Sequence, residues 1–323
     1  MSGKAIGGYF ELELPHGQGH YYPQALKYQS ARATFYALLL FIKPKRVWMP
    51  YYICDSMLAP LIKAEIEVCF YSLNKDLSIQ DDFELEKNDL LLYVNYFGVC
   101  SHVQDLILKK YNKEQIVFDH SQAFFVPPMD CLATIYSPRK FFGVPDGGLL
   151  VTSLNMIEPE KQDTGSFART SHLLHRLAGE PEDGYMAYQA NEKTLEDFQP
   201  RKMSVLTERL LNSINYDLVK QVRNTNFKKV HSQVGHSNDF EINQENINGP
   251  MGYPYLASNS ELRSSLIKRR VFIPTYWPEV LERPGVTGTE KQLVENMNLI
   301  PCDQRYNEND IMFIIKKYNG GRF

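Results

Sequence analysis

The sequence predicts an α/β fold: a mostly parallel sheet covered by helices on both faces, followed by a smaller α+β lobe. Three observations carry this. Through residue 155, short apolar runs alternate with helical segments, the pattern of repeated strand–helix–strand units. The chain has 323 residues, enough for a large core and two lobes. Hydrophobic residues make up 43% and charged residues 23%, as in an ordinary soluble globular protein.

The elements follow in order. Ala31 to Ile42 reads as a helix capped by Ser30. Arg46-Val47-Trp48-Met49 is a short strand ended by Pro50, and Ser56 to Ala64 is helical. Glu67 to Ser72 and Leu90 to Tyr96 are strands, and His102 to Tyr111 is a helix. Ile116-Val117-Phe118, Ala133 to Ser137 and Gly148 to Thr152 are strands. Ile157 to Gly184 is more polar and reads as loop and helix, and Ser204 to His231 as one long helical stretch. Gly235 to Asn248, rich in Asn, Ser and His, is a surface loop. The C-terminal lobe has strands near Tyr253–Leu256 and Val271–Pro274 and a final helix over Asn309–Tyr318. The expected division is a large domain over 1–200 and a smaller one over 201–323.

A formal net charge of −3 leaves no basic face for nucleic acid or an anionic membrane. No apolar run approaches the roughly 18–20 residues that span a bilayer. Met1-Ser2-Gly3-Lys4-Ala5 lacks the apolar region of a secretory leader. The five cysteines are scattered, without C-x-x-C or zinc spacing. These observations point to a reduced, cytoplasmic protein with no metal site.

Two positions carry the chemistry. Asp119 ends the strand Ile116-Val117-Phe118, and Lys140 follows the next strand, with Ser137 three residues before it and Gly147-Gly148 after it. Ligands of such sheets sit at the carboxyl ends of the strands, so Asp119, Lys140 and Pro50 converge on one crevice. A lysine amine forms a Schiff base with the aldehyde of pyridoxal 5'-phosphate (PLP), and a carboxylate keeps the pyridine nitrogen protonated. Burial beside Phe141-Phe142 and the adjacent Arg139 both favour a neutral, nucleophilic Lys140. Gln122 is placed to donate to the cofactor's phenolic oxygen. Ser30-Ala31-Arg32 opens a helix whose free N–H groups suit the phosphate, with Ser137 adding a hydroxyl and Arg32 charge. Of Tyr51 and Tyr52 after Pro50, one is a candidate to stack on the ring. Asn95 to Gly98 lines the crevice by topology alone, and His120 adjoins the site by position. No Rossmann fingerprint or Walker loop competes.

Together these residues resemble the DegT/DnrJ/EryC1/StrS family of PLP-dependent sugar aminotransferases. Gly7-Gly8-Tyr9-Phe10-Glu11 and Leu26 to Leu40 look like its N-terminal segment and phosphate-cup helix, and Val47-Trp48-Met49-Pro50 like its strand ending in Val-Pro. Asp119-His120-Ser121-Gln122-Ala123 matches its Asp-x-Ala-Gln-Ala motif. Lys140 keeps the family's spacing to the double glycine, and Leu299-Ile300-Pro301 resembles the motif before the last helix.

The resemblance implies fold type I, with a seven-stranded-type sheet. It makes Lys140 the Schiff-base lysine, Asp119 the pyridinium partner, Gln122 the phenolic-oxygen contact, and Ser30, Ala31 and Arg32 the phosphate cup. It implies a homodimer with shared active sites. Such an enzyme transfers an amino group, usually from glutamate, to a nucleotide-linked keto sugar for polysaccharide or glycan biosynthesis.

Four departures stand out. The region from Thr152 to Arg201 is short. Ile135 replaces the serine five before the lysine, leaving Ser137. Cys54 replaces the stacking aromatic four after the proline, leaving Tyr52. In Phe198-Gln199-Pro200-Arg201-Lys202-Met203, Pro200 replaces the asparagine that reaches the neighbouring subunit, leaving Arg201 or Lys202 for a phosphate contact. These departures keep open a PLP enzyme of another reaction and a non-catalytic binding or regulatory protein of the same fold.

Overall fold

Seven strands form one sheet in the order β1-β7-β6-β5-β4-β2-β3. The computed structural model describes residues 6–257 and 261–318; the segment 1–5, read above for a leader, lies outside them. From residue 6 to residue 20 there is no regular element, and Tyr9 and Phe10 are exposed.

The chain then runs through β1 (Leu26–Tyr28), α1 (Ala31–Ile42), β2 (Arg46–Pro50), α2 (Asp55–Lys63), β3 (Glu67–Tyr71), β4 (Asp89–Val94), α3 (Ser101–Lys110), β5 (Ile116–His120), β6 (Ala133–Tyr136) and β7 (Gly148–Thr152). The predicted strands and helices of this half are present within one or two residues of their expected ends. The added strand is β1, three residues that pair antiparallel with β7. Strands β3, β2, β4, β5 and β6 are mutually parallel, and β7 runs antiparallel to β6. Strands β4, β5 and β6 are buried along their whole length, as expected of strands covered on both faces. Their register sets Val94 beside Asp119 and Asp119 beside Ile135, aligning the carboxyl ends.

Three short helices follow: α4 (Ser166–Arg169), α5 (Ser171–Ala178) and α6 (Tyr185–Thr194). The single helix predicted from Ser204 to His231 is two: α7 (Val205–Asn212) and α8 (Tyr216–Val234). Each has its own N-cap. Ser204 Oγ accepts from Thr207 N–H, and Asn215 Oδ1 accepts from Leu218 N–H.

The C-terminal part comprises β8 (Tyr253–Leu256), α9 (Glu261–Lys268), α10 (Gly288–Asn296), β9 (Met297–Ile300) and α11 (Glu308–Tyr318). The strand expected at Val271–Pro274 is not formed. The partner of β8 is β9, antiparallel, and Pro274 has no N–H to add to a ladder. The predicted loop over 235–248 holds apart from one 3₁₀ turn. One hydrophobic core runs from Leu38 and Phe118 through Phe227 to Ile315. Among the described residues no helix is long and apolar enough to cross a membrane. All five cysteines are free thiols.

Candidate active site

A cavity of about 170 Å³ opens at the carboxyl ends of the parallel strands. Ser30, Ala31, Arg32, Asp119, Gln122, Ser137 and Lys140 all line it. These seven predicted site residues therefore meet, from positions up to 110 apart in the sequence.

Asp119 sits inside β5 rather than just past it, and is buried. Its Oδ1 accepts from Ser121 N–H at 2.8 Å. Burial pushes the carboxyl up from its ordinary value of 3.8, while the bonds to Ser121 and the charge of Lys140 pull it back down. Gln122 Oε1 accepts from Phe97 N–H at 2.8 Å, which leaves the amide hydrogens without a protein acceptor among the described residues. His120, which follows Asp119 in β5, points the other way, because successive strand residues alternate faces. Its Nε2 pairs with Gln104 at 2.7 Å, it is fully buried, and burial holds it down at about 3. Asn95 likewise faces away, bonded to Gln104 and Cys100 N–H, and Val94 takes its place in the lining.

Lys140 ends the 3₁₀ turn Pro138–Lys140 after β6. The burial expected for it is not found: Lys140 is exposed, while Phe141 and Phe142 turn into the core. The turn splits the three side chains between cavity and interior. Ser137 is buried at the cavity wall with no side-chain bond to the turn.

The phosphate-cup expectation has a geometric basis in α1. Ser30 is its extended N-cap, with Oγ accepting from Ala33 N–H at 3.1 Å. The first turn holds no acidic side chain, so its positive end is not offset locally. The two glycines are required for different reasons. Gly147 has φ +128°, and a Cβ on Gly148 would overlap the Ser30 carbonyl and Ala31 N. Strand β7 can pass under the start of α1 only because residue 148 lacks a side chain.

Tyr52 and Arg201 also stay outside, and Pro50, expected at the same crevice, is not in the lining. Tyr52 is buried in the core, its ring stacked 5.6 Å from Tyr96 and edge-on to Trp277 at 4.7 Å, and its hydroxyl has no partner among the described residues. Tyr51 stacks on Phe70 instead. The lining at that position is Cys54, whose Sγ lies 2.8 Å from Ser56 Oγ and whose thiol is pushed up by burial. The aromatic ring in the lining is Trp277, from the far end of the sequence. Arg201 N–H donates to the Gln29 side-chain Oε1, its carbonyl accepts from Gln29 N–H, and its side chain pairs with Asp197 at 2.5 Å, away from the cavity. Lys202 pairs with Glu158.

Sequence reasoning missed Cys54, Trp277, Glu192 and Leu195. Only Cys54 had a signal, its spacing from Pro50. Among the described residues no cluster of His, Cys, Asp and Glu is arranged to hold a metal ion.

Solved structures share this architecture. A DegT DnrJ EryC1 StrS aminotransferase from Brucella abortus matches with a TM-score of 0.62 over 92% of this chain and 85% of its own, at 14% identity. PseC of Helicobacter pylori, an aminotransferase involved in the biosynthesis of pseudoaminic acid, gives 0.60 over 92% and 86%, at 13% identity. The sugar aminotransferase CalS13 of Micromonospora echinospora gives 0.61 over 93% and 88%, at 12% identity. No family model and no curated protein matches the sequence. The chain thus has the fold of the DegT/DnrJ/EryC1/StrS aminotransferases, the fold type I expected from the resemblance.

Proposed function

We propose that this protein is a PLP-dependent aminotransferase acting on a keto sugar. One observation carries the reading: Asp119, Gln122, Ser137, Lys140 and the first turn of α1 line one cavity, in a fold shared with solved sugar aminotransferases.

The residues fit PLP. Asp119 is a buried carboxylate that burial destabilises, and a protonated ring nitrogen supplies the opposite charge that such a group requires. Gln122, its carbonyl fixed by Phe97, has hydrogens to donate to a phenolic oxygen. The start of α1 with the Ser30 and Ser137 hydroxyls suits a phosphate. Trp277 replaces Tyr52 as the ring available for stacking.

When bound, PLP supplies an electron sink for the carbon that bears the nitrogen. Lys140 would hold the group through Nζ, condensing with its aldehyde with loss of water, and would move a proton at the substrate carbon. Asp119 keeps the ring-nitrogen proton in place. Cys54, Val94 and Trp277 line the cavity with largely apolar surface.

The finer reading follows the resemblance. The donor is glutamate, the acceptor is a nucleotide-linked keto sugar, and the product enters polysaccharide or glycan synthesis. Residues 1–200 form the cofactor domain and 201–323 the smaller one. Two copies share their active sites, and Arg201, outside its own cavity, serves the cavity of the partner copy.

The test is spectroscopic. Purified protein with added PLP is expected to show a borohydride-reducible band near about 410–430 nm, lost in Lys140→Ala. Glutamate alone should bleach it, and the keto sugar should restore it. Wild-type protein that gains no band on adding PLP ends the proposal. A band that survives Lys140→Ala removes Lys140 from its role.

A further inference from the structure

Arg139 and Glu192 meet at the edge of the cavity. Arg139 is in the turn Pro138–Lys140, one residue before the lysine, and Glu192 is in the last turns of α6. Arg139 Nη2 donates to Glu192 Oε1, and both residues line the cavity.

This ion pair is incomplete. Arg139 Nε is buried and has no hydrogen-bond partner among the described residues. A buried, unsatisfied donor on a charged group is costly, and it calls for a structural reason. A guanidinium presents Nε–H and Nη2–H side by side, a fork that matches both oxygens of one carboxylate. Glu192, tethered to its helix, takes only the Nη2 side. A carboxylate free to orient takes both.

We propose that Arg139 is the receptor for the carboxylate of the amino donor, and that Glu192 is an internal surrogate which that carboxylate displaces. The inference rests on the function proposed above and says which residue of this chain recognises its amino-acid donor. Position supports this source over the cofactor phosphate. The donor's α-carbon must reach Lys140, and its carboxylate is one bond away, so the receptor must stand beside the lysine. The phosphate already has the first turn of α1 with Ser30 and Arg32. Space agrees as well. At about 170 Å³ the cavity is smaller than the ~300–1,000 Å³ usual for ligand pockets, and withdrawal of Glu192 enlarges it on the donor's side.

The experiment is calorimetric titration of the purified, PLP-treated protein with glutarate, an unreactive dicarboxylate, and separately titration of the protein with PLP. Arg139→Gln is expected to weaken glutarate roughly tenfold or more, the effect of losing charged hydrogen bonds, with PLP affinity kept within about threefold. Glu192→Gln removes the competitor and is expected to tighten glutarate about two- to fivefold, as for a partly exposed ion pair. The opposite directions separate a site effect from a folding defect, and far-ultraviolet dichroism checks both variants. In turnover, Arg139→Gln should raise the KM for glutamate much more than it lowers kcat.

Glutarate binding that ignores both substitutions overturns the proposal. So does a loss of PLP affinity in Arg139→Gln as large as the loss for glutarate, which would assign Arg139 to the phosphate. If wild type binds no PLP, the aminotransferase reading falls and the donor assignment falls with it. Arg139-dependent glutarate binding would then still uphold the carboxylate receptor.

Discussion

The cavity has two walls of different construction. The sheet wall consists of Val94, Asp119, Gln122, Ser137 and Gly147, at the ends of strands paired in register on both sides. The covering wall consists of Glu192 and Leu195, at and just beyond the end of α6, with Trp277 from the segment between α9 and α10. Helix α5, which packs against α6, buries none of its residues, and Phe167, Leu177 and Met186 are exposed. A strand flanked by two hydrogen-bonded neighbours has its side chains fixed in position. A helix held along one face can adjust. The sheet wall thus suits the invariant demands of a cofactor, and the covering wall suits the selection of a substrate.

Substitutions in each wall sharpen this contrast. The largest effect is expected at Lys140. Lys140→Ala should lose covalent cofactor attachment and at least the ~10²–10⁴-fold that a positioned acid–base group supplies, measured by single-turnover absorbance. Its melting temperature should barely change, since the side chain is exposed.

Next comes the joint between the walls. Arg169 of α4 is buried, ion-paired to Asp163 and 3.8 Å from buried Asp146. Arg169→Met leaves buried Asp146 without its cation and Asp163 with only Arg201 Nη1 at 4.0 Å, and should cost about 3–5 kcal/mol in urea denaturation. A loss under about 1 kcal/mol would show the covering wall to be independent of the sheet.

Gly148→Ala forces backbone apart where β7 passes under α1. A cost of about 2–3 kcal/mol is expected, together with weaker PLP binding, because the phosphate cup shifts. Unchanged affinity for PLP would separate the cup from the strand.

Asp119→Asn tests the sheet wall in the opposite sense. The folded Asp119 is raised above its unfolded value of 3.8, so its ionisation opposes folding. The stability associated with its protonated form is complete below 3.8 and is lost as pH rises through the folded value. Without cofactor, the Asn variant should therefore be more stable than wild type at pH 7, by on the order of 1 kcal/mol, with the gap closing toward pH 4. The same variant should bind PLP poorly. A variant less stable at pH 7 would mean that the bonds to Ser121 and the charge of Lys140 outweigh the cost of burial.

The smallest effect belongs to Tyr52→Phe. It removes a buried hydroxyl with no partner, so stability should stay level or rise by less than about 1 kcal/mol, and cofactor affinity should not change. A clear loss of PLP binding would return Tyr52 to the site.

The sequence by itself determined the alternation of strands and helices, because local periodicity reports which faces are buried. It also determined the Asp119, Gln122 and Lys140 constellation, because one strand end after another carries a residue at a spacing that parallel pairing brings together. Where the outcome depended on partners distant in sequence, only the tertiary structure decided it. Tyr52 is drawn into the core by Tyr96 and Trp277, and Trp277 reaches the cavity from the C-terminal part. Lys140 opens outward because its turn sends Phe141 and Phe142 inward. Val271–Pro274 finds no ladder because β9 pairs with β8. Glu192 meets Arg139 across 53 residues of chain. Burial patterns repeat over a few residues and can be read along the chain. Contacts between elements arise only when the chain closes on itself.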